Sequence, residues 1–113
     1  MTTNQVSKWE DKRTDESRMV EHELREAGFD RVDAYRYNSA SLRVRVIDKR
    51  FESIPREERD KIVEPFIDKL PPSTQSDIVS LVLLAPPEFD QPSDTFREFM
   101  LNTEFENPSP SML

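Results

Sequence analysis

With 113 residues the chain has the size of one domain and one modest core, and 35% hydrophobic against 35% charged residues leaves part of it outside that core. The absence of cysteine excludes disulfides, thiolate nucleophiles and thiolate metal ligands, and a single glycine excludes a glycine-rich phosphate loop. Net charge is −7, but residues 1–70 are nearly balanced, with 15 Lys/Arg against 16 Asp/Glu, whereas residues 71–113 set Arg97 alone against seven acids, so no chain-wide basic field exists to drive nucleic-acid binding.

No apolar run approaches the roughly 20 residues of a membrane span. Met1–Val6 shows no basic stretch leading into an apolar one, so a cytoplasmic protein without a membrane partner is expected. Residues 1–10 are polar and expected to be disordered, apart from Trp9, which can dock. From about Asp11 to Ala27 the spacing of Met19, Val20, Leu24 and Ala27 predicts an amphipathic helix. Gly28 stands where a left-handed residue would close it, and Phe29 could fold back on Leu24.

Arg31–Tyr37 and Ser41–Ile47 read as two strands joined by a turn at Asn38–Ser39–Ala40. In the second, Leu42, Val44 and Val46 alternate with Arg43 and Arg45, predicting one buried face and one wet face. Tyr35 and Tyr37 share a face and are expected to pack. Ser53 and Pro55 open a second helix, with Glu57 and Glu58 in its positive first turn and Ile62, Val63, Phe66, Ile67 and Leu70 on one side. Pro65 predicts a kink or a division into two short helices, and Pro71–Pro72 predicts its end.

Ile78–Leu84 is a continuous apolar run, expected to be a strand covered on one face and paired on both sides. Ala85–Pro86–Pro87 stops it. The resulting class is α+β in the order α-β-β-α(α)-β, a three-stranded mixed sheet with helices packed on one face, over residues 11–89. Residues 90–113 form an acidic tail. A short helix is expected within it over 94–102, capped by Ser93 or Asp94, docking through Phe96, Phe99 and Met100 on its own sheet or on a second copy.

The element order and the stretch LRVRVIDKRFESIPREERDKIV, Leu42 to Val63, resemble the BolA-like family, whose topology is type II KH-like. The resemblance runs from about Met19 to Phe89. Phe51, Arg59, Lys61 and Val63 fall on the family's pattern, and Glu88–Phe89 resembles its terminal acidic-aromatic pair. Ser53 stands where the family prefers glycine, Asp60 where it prefers histidine, and Asp77 where a histidine commonly begins the last strand. The resemblance implies a partnership with monothiol glutaredoxins around a shared iron–sulfur cluster, ligated by that last histidine, or a role in transcriptional regulation. Because this chain lacks the histidine, neither cofactor nor metal is expected.

The chemistry-bearing residues are few. His22 has no Cys or second His nearby in sequence and is expected to be structural. Asp60 and Asp77 are the acid pair considered for proton transfer, and no catalytic residue is expected. Lys49, Arg50, Arg56, Arg59 and Lys61, with Arg43 and Arg45, would serve a phosphate backbone, but Glu52, Glu57, Glu58 and Asp60 interleave with them. The expected function is therefore a non-enzymatic adaptor or regulator, monomeric or weakly dimeric, binding a protein through Arg50, Phe51, Arg56, Arg59 and Lys61. The alternative is a KH-like nucleic-acid-binding regulator.

Overall fold

The computed structural model describes residues 8–90 and 96–109, without the side chains of 96 and 97. A 3-10 turn at Trp9–Lys12 leads into α1 (Asp15–Glu26), then β1 (Arg31–Asn38) and β2 (Ser41–Ile47). A second 3-10 turn at Lys49–Phe51 precedes α2 (Arg56–Ile67), α3 (Pro72–Asp77), β3 (Ile78–Leu84), α4 (Pro86–Phe89) and α5 (Phe96–Glu106). The fold is α+β, with helices packed against a mixed sheet in the order β1-β2-β3. The hairpin β1–β2 is antiparallel and β2–β3 parallel.

Helix α1 starts later than its apolar spacing suggested because its cap lies at Thr14. The Thr14 hydroxyl accepts from Ser17 N–H and the Ser17 hydroxyl accepts from Thr14 N–H, a reciprocal box that fixes the first turn. The helix closes as expected. Gly28 has φ 95°, its N–H donates to the Arg25 carbonyl, and Phe29 N–H donates to the Leu24 carbonyl. That pair of bonds is a Schellman closure, and Phe29 and Leu24 are buried in one core.

Helix α2 continues through Pro65 as one element, against the expected division. Pro65 lies in its last turn, where a single missing donor costs one ladder bond rather than a break. Ser53 does not cap it; Pro55 occupies that position, with no side-chain hydrogen bond. Helix α2 ends at Ile67, ahead of the expected stop at Pro71–Pro72, and Pro72 opens α3, since a proline at the first helical position lacks only an N–H that would be unpaired anyway.

The main core lies between the sheet and α1–α2. Val20 and Leu24 of α1 and Val63 of α2 pack on Val32, Ala34, Leu42, Val44, Val46 and Leu83, together with Phe29 and Phe51. The opposite face is covered as well, which corrects the expectation of a wet face at Arg43 and Arg45. Arg45 is 2% exposed. Helix α5 lies over this side, where Phe105 packs on Trp9 and Tyr35, while Leu101 and Phe89 pack on Ile47, Val82 and Leu84.

Strand β3 is a second correction. Among the described residues it is an edge strand paired with β2 alone. The apolar run of its second half arises because both faces are covered there, Leu81 and Leu83 in the main core and Val82 and Leu84 on the α5 side, while Val79 stays exposed. Continuous apolarity reports coverage of the two faces and says nothing about pairing along the two edges. Among the described residues no helix is long and apolar enough to cross a membrane.

Candidate interaction groove

Beneath α5 the sheet carries a network built on two arginines. Arg45 Nη2 and Nε donate to one oxygen of Asp33 at 2.8 and 3.2 Å, and Nη1 donates to Asn102 Oδ1 at 3.3 Å. Its guanidinium lies 4.3 Å from the Phe105 ring centre and 4.9 Å from that of Phe89. Burial lowers the Arg45 pKa, against the opposing pull of Asp33. Arg43 stacks 4.0 Å over Tyr37 and donates to Tyr35 Oη at 2.9 Å and to Glu104 at 2.5 Å. Burial raises the Tyr35 pKa.

Burial alone would raise the Glu104 pKa. Bonds from the Ser109 hydroxyl and N–H, and from Arg43, outweigh it and hold the carboxyl below its usual range. The two β2 arginines among the bases considered for phosphate binding are thus ties between sheet and α5, Arg45 buried and Arg43 half-buried. The signal for this is in the sequence only as the scattered acids Glu98, Glu104 and Glu106 of α5 and Asp33 of β1; which base each one meets depends on the docking.

A second tie joins α2, β3 and α4. Arg59, 3% exposed, donates to the carbonyls of Ile54 at 2.8 Å and Leu83 at 2.9 Å, and to both Glu88 oxygens at 2.6 and 3.0 Å. Glu88 also accepts from Ala85 N–H at 2.8 Å. The Arg59 hydrogen bond, more than any other cause, holds the Glu88 pKa below its ordinary value.

These contacts correct the expected interaction surface. Phe51 is fully buried, stacked on Phe29 with ring centres 6.0 Å apart, and Arg59 is engaged within its own fold, so neither side chain lies on the surface. Arg50, Arg56 and Lys61 remain accessible. Arg50 stacks 3.9 Å over Phe29 and donates to Asp48 at 3.1 Å, and Arg56 pairs with Glu98.

The tail contacts are corrected too. Phe99 and Met100 are exposed at 55% and 42%, whereas Phe105 is buried, and the side chain of Phe96 lies outside the described residues. Ser93 and Asp94 lie outside them as well. The helix turns inward the face bearing Leu101, Asn102 and Phe105, because that rotation also delivers Glu104 and Asn102 to Arg43 and Arg45.

Between the first turns of α2, the edge of β3 and the start of α5 runs a groove of about 430 Å³ lined by Arg56, Glu57, Asp60, Leu81, Val82, Leu83 and Glu98. Its floor is aliphatic strand and its rim is charged. Glu57 and Asp60 are exposed on that rim. Asp77 stands elsewhere, accepting a 3.0 Å hydrogen bond from Arg36 Nη2, so the acid pair Asp60/Asp77 is not assembled into one site. That bond also bears on the cluster implied by the family resemblance. A carboxylate held by a guanidinium is a poor substitute for an imidazole toward iron–sulfur, and the residues present do not fit that group. His22 is exposed on α1, in a shallow hollow with Arg13, Arg18, Glu21 and Arg25. Among the described residues no three His, Asp or Glu side chains group as a metal site.

No family model matches the chain, and no curated protein or solved structure matches it either.

Proposed function

We propose that the chain is a non-enzymatic protein-interaction domain of BolA-like topology, an adaptor or regulator that holds its partner in the groove between α2 and β3. The groove itself carries this reading: an aliphatic floor at a sheet edge that no described strand covers, bordered by the exposed carboxylates of Glu57 and Asp60. Apolar floor with a polar rim is the anatomy of a protein-binding surface. The nucleic-acid reading draws less support, because Arg43, Arg45, Arg56 and Arg59 each pair with a carboxylate of the same chain.

Photo-cross-linking tests the proposal. A benzoylphenylalanine is placed at Glu57 and, in separate chains, at Lys61 and at His22, and cross-linking is run in an extract of the source cells. A protein adduct formed at 57 or 61, absent at 22 and suppressed by excess unmodified chain, is the expected result. Adducts of equal strength at all three sites would overturn it. So would salt-sensitive binding of labelled oligonucleotides that is lost in Arg56→Ala.

A further inference from the structure

We infer that the groove accepts an extended peptide segment with Lys or Arg at alternate positions, added to the edge of β3 as a fourth strand. This rests on the interaction reading above and narrows it to one partner chemistry. Among the described residues, sheet order leaves the outer edge of β3 without a strand partner. The Leu84 carbonyl accepts from Asp48 N–H at 3.0 Å, so the Leu84 backbone faces inward, toward β2. Strand alternation then turns the backbones of Leu81 and Leu83 outward.

The bond from Arg59 Nη1 to the Leu83 carbonyl lies on that outer side and closes one end of the edge. At the other end the pairing slips between Leu42/Arg43 and Ile78/Ser80, leaving Val79 as an extra residue that breaks the regular spacing. Between these stops, the Leu83 N–H and both backbone groups of Leu81 face the groove. Three such groups suit a short strand added by main-chain hydrogen bonds.

Charge selects the occupant. Leu81 and Leu83 point toward α2, and Val82 and Leu84 toward α5, so an added strand would send alternate side chains to the same two sides. Arg56 of α2 pairs with Glu98 of α5 across the groove. With that pair set aside, the charged residues lining the groove are the carboxylates Glu57 and Asp60 of α2, while Lys61 of the same helix is not part of the lining. A row of basic side chains meets them there, while the intervening row can be apolar. A second copy of this chain is disfavoured as occupant, because a two-fold pairing of β3 edges would bring Glu57 and Asp60 toward their own copies.

The test is fluorescence anisotropy of the full chain with a fluorescein-labelled decapeptide of alternating Lys and Val. Its Glu/Val counterpart, and the Lys/Val peptide N-methylated at alternate residues, serve as comparisons. The Lys/Val peptide is expected to bind and the Glu/Val peptide not to. N-methylation should weaken binding about tenfold by removing strand hydrogen bonds. Glu57→Gln with Asp60→Asn should weaken it about fivefold, as for two exposed ion pairs. Glu23→Gln with Glu26→Gln, equal in charge but on α1, should leave it unchanged.

No binding of the Lys/Val peptide would overturn the inference. Indifference to N-methylation, equal loss in the α1 variant, or a β3-paired dimer detected by light scattering would do the same. Should the peptide fail while Glu57 still cross-links a competable protein, the interaction reading stands and only the strand-addition inference falls.

Discussion

Arg45 and Asp33 face each other on neighbouring strands with side chains 3% and 6% exposed. A buried pair of this kind adds little net stability over a well-packed apolar pair, but removing one member strands the other charge. Asp33→Ala is therefore expected to cost about 3–5 kcal/mol in urea unfolding. Asp60→Asn, on an exposed rim, should stay within about 0.5 kcal/mol. Gly28 is a different case, since φ 95° is a conformation that a Cβ disfavours. Gly28→Ala should cost about 1–2 kcal/mol through the backbone alone. At this scale the sequence was most legible where the chemistry is local. Gly28 as a helix closure needs only its neighbours, whereas Arg59 beside Lys61 gives no hint that one is buried and the other exposed.

Helix α5 is the element whose role was hardest to read. Its apolar residues fall on two sides, and either Phe99/Met100 or Leu101/Phe105 could have faced the sheet. Phe105 is the one that enters, edge-on to Trp9 and Tyr35 with ring centres 5.4 and 5.1 Å away. Phe105→Ala is expected to cost about 3–5 kcal/mol, as for other buried aromatics. Phe99→Ala, at an exposed position, should change stability by less than about 0.5 kcal/mol. A chain ended after Asp90 should lose cooperative melting and bind a hydrophobic dye, since Tyr35, Val82 and Leu84 lose their cover; an unchanged melting curve would show that α5 is dispensable. A short helix was expected over 94–102, whereas the described one is Phe96–Glu106, and its inward face was not anticipated, because that choice is made by Arg43 and Arg45 on a distant strand.

Across the whole molecule, acid-base ties join elements far apart in sequence: Arg59 with Glu88, Arg43 with Glu104, Arg36 with Asp77. Glu88 and Glu104 are both held below their ordinary value of 4.5 when folded. On acidification the unfolded chain therefore takes up protons first, and folding stability falls. Their contribution is complete above the unfolded-state value and is lost as pH drops through the lowered folded values. Urea midpoints measured from pH 7 down to pH 3 should decline most steeply below about pH 4.5, and Glu88→Gln with Glu104→Gln should flatten that decline.

By itself the sequence determined the α+β class, the hairpin, the closure at Gly28 and the bounds of Ile78–Leu84, because each depends on residues within a few positions of one another. Tertiary structure alone decided that the second face of the sheet is covered, that β3 lies at an edge, and that Phe51 and Arg59 belong to the interior. Those outcomes turn on which distant surfaces meet, and periodicity records only that a side chain will be covered, not what will cover it.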